Sequence, residues 1–257
     1  HKKYKKVKVL KHKKNKGFTK SVNDGVKKAD SDLVLILNSD VSPRSNFLKP
    51  AVAHFKDKNL FAVALADFSH EGTRIVIRGR GGISFNRGFL NHFAASVERG
   101  ETFWVSGGSG LFDKEKFLSI GGFDSLYAPF YWEDIDLSFR ARKLGYKCIF
   151  EPLAKVDHFH EEGAIMKNYS SFFIKTISYR NQFLFIWKNL SDYIMLSLHL
   201  LWLPYHFIKA LLILDLAFFL GFLWAVSRFP KLIFDYTQYT INYTRSDREV
   251  IRSFEKS

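Results

Sequence analysis

A single cysteine, Cys148, occurs in 257 residues, which excludes an internal disulfide and a cysteine-built zinc site and fits a reducing compartment. Proline is scarce as well, with 6 residues against 27 phenylalanines and an apolar content of 47%, a composition that folds rather than staying disordered. Neither an initiator methionine nor an apolar signal core opens the chain, which starts "HKKYKKVKVLKHKKNKGF", and the expectation is that upstream sequence is missing. There is no internal repeat, and the lysine-rich start is the one low-complexity stretch. Acidic side chains are outnumbered, 25 against 39 lysines and arginines, and the net charge of +14 points to nucleic acid, a membrane surface or a phosphorylated substrate as partner. With no zinc finger and no aromatic-rich RNA-binding motif, nucleic acid is set aside. Val7 and Val9, alternating with lysines, also read simply as a solvated strand edge.

The length allows a sizeable core and one or two domains, and two patterns meet near residue 180. The first alternates strands and helices, as α/β layer folds do. "VKVL" reads as a strand, and "GFTKSVNDGVKKA" as a helix with Phe18, Val22, Val26 and Ala29 on one face. "DLVLILNSD" reads as a central parallel strand ending in polar residues. "SPRSNFLKPAVAHFKD" restarts a helix with Ser42 or Ser45 as N-cap, and "LFAVALADF" is a further strand. Residues 69–102 look like an irregular excursion with one helix. A strand, a short helix from Lys114 and a glycine turn follow in "FWVSGGSGLFDKEKFLSIGGFD".

From Tyr169 the chain is strongly apolar, interrupted by Pro204 and Pro230. Asp192, His199, His206 and Lys209 fall near one helical stripe, which suits a membrane interface; an ordinary buried helical subdomain is the alternative. Asp215 speaks against a spanning helix, so the expectation is monotopic association with an anionic membrane surface.

Three places carry candidate chemistry. Asp40, at the end of "LILNSD", is placed either to cap a turn or to hold a hard cation at the carboxyl edge of the sheet. In "FYWEDIDLSFRARKLGYK", Glu133, Asp134 and Asp136 crowd beside Trp132 at the start of a helix that Gly145 closes. One or two of these carboxylates suit the helix dipole; three beside an aromatic exceed what capping needs, and crowding raises a carboxylate's pKa towards that of a general base. Asp136 and Arg140 are spaced to pair, and Trp132 is placed to pack beside a sugar or a loop. In "VDHFHEEG", His158 and His160 point to one side of a strand as metal ligands, or form a loop pair without a ligand.

Taken in order, these pieces resemble the inverting family 2 glycosyltransferases of the GT-A fold, closest to non-processive, rhamnosyltransferase-like members, over about residues 1–185. The matching pieces are "NKGFTKSVNDG", "LILNSDV", "SGGSGLFDKEKFLSIGGFD", "WEDIDLSFRARKLGYK" and "VDHFHEEG". NSD keeps the last carboxylate of a full DxD, and the family's first strand and nucleotide-base loop have no counterpart. The resemblance implies an α/β fold, a GT-A (Rossmann-like) mixed sheet flanked by helices, over residues 1–180; the apolar pattern, not the resemblance, adds a helical, membrane-associated region with a basic tail over 181–257. It implies Asp134 as catalytic base, and Asp40 and His158 as ligands of Mg²⁺ or Mn²⁺. It further implies Asn15, Gly17, Asn23, Asn38, Gly108, Ser109, Trp132 and Glu133 as substrate-binding positions. The activity it implies is sugar transfer from a nucleotide-diphosphate sugar to a glycan or lipid-linked acceptor in cell-surface polysaccharide or glycolipid assembly, on the cytoplasmic, inner face of the cell membrane. A non-catalytic sugar-nucleotide or polysaccharide-binding module is the rival reading.

Overall fold

The computed structural model describes residues 7–159, 164–232 and 243–255. Its centre is β3 (Leu60–Glu71), whose residues 60–67 are buried on both faces. Continuous burial is what a middle strand requires, and "LFAVALAD" supplies small and branched side chains for both sides. Against β3 lie β9 (Lys147–Phe159), parallel, and β8 (Ser109–Asp113), antiparallel. Beyond these the sheet continues with β1 (Leu33–Leu37) on β8 and β2 (Val41–Pro43) on β9, in the order β1-β8-β3-β9-β2. β4 (Arg74–Arg78) pairs antiparallel with the end of β3, and β7 (Gly100–Glu101) pairs with β9. A separate hairpin is formed by β5 (Gly81–Asn86) and β6 (Phe89–Ala94).

One face of the sheet is covered by α1 (Gly17–Lys28), α3 (Lys114–Ser119) and α4 (Glu133–Lys143), through Val26, Phe117, Leu137 and Ala141. The other is covered by α2 (Leu48–Ala53), through Ala51. A third core joins the β5–β6 hairpin and the outer side of α4 to the C-terminal helices α6 (Ser171–Asn189), α7 (Tyr193–Leu212), α8 (Leu216–Ser227) and α9 (Asp247–Arg252). Between β9 and α6 runs the short α5 (Ala164–Asn168). α6 passes unbroken through residue 180. It meets α8 at Gly221, where a Cβ would come within 2.9 Å of Thr176 O and 2.7 Å of Tyr179 Cβ.

Several expectations are corrected. Val7–Leu10 form no strand and are exposed. β1 is not a central parallel strand: among the described residues its partner is β8, antiparallel, and β3 takes the centre. Neither Ser42 nor Ser45 caps α2. Ser42 is drawn into β2 by pairing with Asp157, and the helix starts after Phe47 with no side-chain cap. Residues 69–102 hold no helix but two hairpins, each with a two-residue turn. Arg87 and Gly88, with φ of 48° and 77°, make the turn between β5 and β6, a geometry that right-handed strand twist favours. Within the α7 stripe the two histidines face the protein, while Lys209 stays exposed: His199 is buried, bonding Gly88 O through Nδ1 (2.7 Å), and His206 Nε2 meets Arg87 O (2.7 Å).

Candidate active site

The tight loop Ser106–Gly107–Gly108 ahead of β8 meets both α4 and the carboxyl end of β1. A Cβ on Gly108 would fall 2.6 Å from the Asn38 amide, and one on Gly107 would meet Phe18 and Phe123 at 3.1–3.2 Å. Close approach of backbone therefore explains the small-residue sequence here. The Gly108 carbonyl accepts from Asn38 N (2.9 Å), which fixes the loop to the carboxyl end of β1. Gly107 N donates to Asp134 Oδ2 (3.3 Å). Ser109 Oγ donates to Asp67 Oδ2 (3.4 Å), and the same carboxylate lies 2.8 Å from His158 Nδ1. His158 Nε2 in turn faces Asp40 Oδ2 at 3.6 Å. Sheet register enforces this last contact: Val41 pairs with His158, and Phe159 N donates to Asp40 O (3.0 Å). Asn38 and Asp134 thus touch the loop directly, and Ser109 at its end leads through Asp67 to His158 and Asp40.

Asp134 sits in the first turn of α4, half-buried, with Ile135 N donating to Oδ1 (2.8 Å). The helix begins abruptly because Tyr131 and Trp132 take φ of 69° and 75°, left-handed values that bulky residues hold only when their surroundings force them. α6 supplies that force. Asn181 Nδ2 lies 2.8–2.9 Å from the carbonyls of Tyr127, Phe130 and Tyr131, and Arg180 Nη2 reaches those of Tyr127 and Ala128. Trp132 is core rather than a sugar platform, 4% exposed with its ring against Phe185 (5.1 Å) and His92 (5.7 Å). Tyr131 beside it is 40% exposed.

The three crowded carboxylates have separate environments. Asp136 is fully buried and accepts from Arg140, Lys188, Asn189 and the Tyr127 hydroxyl, each within 2.9 Å, so it bolts α4 to α6 instead of tuning the site. Burial opposes its charge, yet Arg140 and Lys188 hold it well below the usual carboxylate range. Glu133, 7% exposed, is raised to about 8 by burial and by the Asp134 charge, and among the described residues its Oε2 has no hydrogen-bond partner. Asp134 is raised by burial too, but the amides of Ile135 and Gly107 restrain the shift. Of the two, Glu133 keeps the proton and Asp134 ionises first, which suits Asp134 to accept a proton.

A stability measurement checks this ordering. Between the ordinary glutamate value of 4.5 and about 8, the folded chain holds a proton on Glu133 that the unfolded chain has lost, so stability falls as pH rises through that window. Glu133→Gln, an isostere of the protonated form, is expected to flatten that fall in urea titrations. An unchanged pH slope would place the proton elsewhere.

Two predicted residues serve the site indirectly. Asn15 Oδ1 accepts from Gly17 N (2.8 Å) at the start of α1, where Gly17 takes φ of 75°. Asn23 has both amide atoms on the Phe123 backbone (2.8 and 3.0 Å), propping the residue that underlies Gly107. His160 lies outside the described residues. Sequence reasoning missed Asp67, Asn181 and Arg180. Each is a polar side chain in an otherwise apolar run, "LFAVALADF" and "RNQFLFIW", and that interruption is the signal that could have found them.

Asp40 and His158 are chemically fit for a hard divalent cation. Asp40 offers a carboxylate, and the Asp67–His158 contact is the arrangement that orients a metal-binding imidazole from behind. Burial opposes a charge on His158, but Asp67 and Asp40 outweigh it and raise its pKa. No group of three or more histidine, cysteine or acidic side chains with metal-binding geometry occurs among the described residues.

Comparison with known proteins fits this geometry. Residues 1–120 match the sequence model of glycosyl transferase family 2. Two pre-mycofactocin glycosyltransferases of Mycobacterium tuberculosis, from strains CDC 1551 / Oshkosh and ATCC 25618 / H37Rv, are each 28% identical over 155 residues, 60% of this chain and 32% of theirs. The chain spans about a third of the length of these relatives. A crystal structure of GalNAc-T7 with UDP, GalNAc and Mn²⁺ superposes with a TM-score of 0.55 at 15% identity, covering 72% of this chain and 37% of that one. The fold is of the GT-A type. The mixed sheet brings Asp40 to His158 through β2–β9 pairing, and the Gly107–Gly108 loop joins Asn38 after β1 to Asp134 on α4.

Proposed function

We propose that the chain moves a sugar from a nucleoside-diphosphate sugar to an acceptor hydroxyl, inverting the anomeric centre, with Mg²⁺ or Mn²⁺ at the diphosphate. The observation that carries this reading is the Gly107–Ser109 loop, which touches the ionisable Asp134 on one side and the Asp67–His158–Asp40 chain on the other. A proton acceptor and a cation-binding pole about one loop is what a direct displacement needs. Asp134 takes the acceptor proton as the hydroxyl oxygen bonds to the anomeric carbon, and the bond from that carbon to the diphosphate oxygen breaks with its electron pair on the leaving group. A divalent cation bound by Asp40 and His158 would supply charge stabilisation to the diphosphate. Gly107 N–H and Ile135 N–H hold the Asp134 carboxylate ready for its proton. The motif resemblance supports reading the chain as non-processive and rhamnosyltransferase-like, acting on a glycan or lipid-linked acceptor.

The test is a set of sugar nucleotides offered with Mn²⁺ and lipid-linked or oligosaccharide acceptors, the product's anomeric configuration being read by NMR. Expected is a product of opposite configuration to the donor. Retention would overturn the displacement. Donor binding without transfer would favour a binding module, a reading that Asn38 supports because it stands where a second carboxylate of a DxD would be. Asp40→Ala is expected to abolish the strengthening of donor binding by Mn²⁺; equal binding with cation and with chelator in the parent chain would remove the cation from the scheme.

A further inference from the structure

The C-terminal helices leave a surface that sugar transfer does not use. Leu211, Leu212, Ile213 and Leu214, the end of α7 and its turn into α8, are 62–78% exposed, and Leu200, Leu201 and Leu216 continue the apolar face at similar exposure. A contiguous apolar surface of this kind marks an interaction site on a folded chain. We infer that it is a bilayer-docking face, seated in the interfacial plane under anionic headgroups.

The charges around it favour lipid over a protein partner with basic contacts. Between Tyr193 and Ser227 the charged residues are Lys209 and Asp215. Asp215 is 8% exposed, its carboxylate held by Lys175 and Tyr179 at 2.8 Å each, and Asp192 at the start of α7 is tied to Arg248 (2.7 Å). Lys209, Arg87 and Arg228 remain exposed, and Arg87 donates to the hydroxyl of Tyr205, an aromatic on the same helix (2.6 Å). An apolar face with basic groups and tied carboxylates matches an anionic membrane surface.

α7 is the one described helix long and apolar enough to cross a bilayer. Its attachments show why it lies flat. His199 and His206, near the middle of the helix, bond the Gly88 and Arg87 carbonyls of the β5–β6 turn. A spanning α7 would carry that turn and the Arg87 guanidinium to the bilayer centre, where a charge is costly. Lying in the interface, the helix keeps its histidines on the protein and its leucines in lipid.

The experiment uses the full chain, transferred from detergent to phosphatidylcholine vesicles with or without phosphatidylglycerol, then floated. Trp202 of α7 and Trp224 of α8, 36% and 37% exposed, report depth through quenching by brominated lipids. Expected are flotation that phosphatidylglycerol strengthens, and stronger quenching by bromines high on the acyl chain than by those near its end. Leu212→Glu with Leu214→Glu is expected to lower partitioning by about 100-fold or more, from two lost leucine burials, with an unchanged melting curve. A chain that stays in solution as a monomer overturns the proposal. So does a dimer that ignores vesicles, which would make a second copy the occupant, or quenching strongest from the deepest bromines. The wild-type quenching profile decides the matter even where the double variant fails to fold.

Discussion

Asp134→Asn is expected to lower the transfer rate by about 10²–10⁴-fold, the range that a general base contributes, while donor affinity stays within about twofold. Asparagine is nearly isosteric and its Oδ1 retains one of the two amide contacts, from Ile135 N or Gly107 N, so α4 keeps its start. What disappears is the capacity to accept the acceptor's proton. The loss therefore falls on kcat rather than on donor binding. The pH profile separates this role from a positional one. In the parent chain activity should rise with pH as Asp134 ionises, at a pKa raised by burial. In the variant the rising limb should vanish along with the rate. Turnover near the parental value would move the base to another group, and Glu133 is poorly suited because it holds its proton to about 8.

Much of this arrangement was legible in the sequence, because local pattern and local chemistry coincide there. The apolar positions of α1 and α4, the buried run of β3, the Asp136–Arg140 spacing and Gly145 at φ 88° after α4 all follow from periodicity and capping. Asp40 and His158 were recognisable as a pair only through family resemblance, since β2–β9 register, a long-range property, brings them together. The chain's tight turns were misjudged where glycine signals were present. "EGT" and "NRG" each sit between strands, yet the arginine-rich surroundings suggested irregular chain. The sequence leaves Trp132 open to a sugar or a loop because an aromatic beside carboxylates has no sequence mark for which way it turns. A left-handed backbone held from α6, fifty residues away, turns it inward. The histidines of α7 posed the same difficulty. Periodicity found their stripe, but the hairpin that receives it is more than a hundred residues upstream.

Asp136→Ala is expected to be the most destabilising single change near the site, at about 3–5 kcal/mol, the usual cost of removing one member of a buried ion pair. Asp136 is 0% exposed, and its loss leaves Arg140 and Lys188 without their shared counter-charge, although Lys188 retains Asp124 (2.8 Å). Urea titration of the variant against the parent measures it, and a loss below about 1 kcal/mol would mean that the surrounding donors find other partners or water. The sign of the pH dependence follows from the depressed pKa: the contribution is fully present above the ordinary aspartate value and is lost as pH falls through it towards the folded value. The variant should accordingly show a shallower acid loss than the parent. Because the same carboxylate joins α4 to Lys188 and Asn189 on α6, the change should loosen the catalytic turn and the apolar helices together. A single unfolding transition, shifted as one by the substitution, is the expected result. Two transitions, with the C-terminal one unmoved, would mean that α6 does not share the stability of the turn it holds.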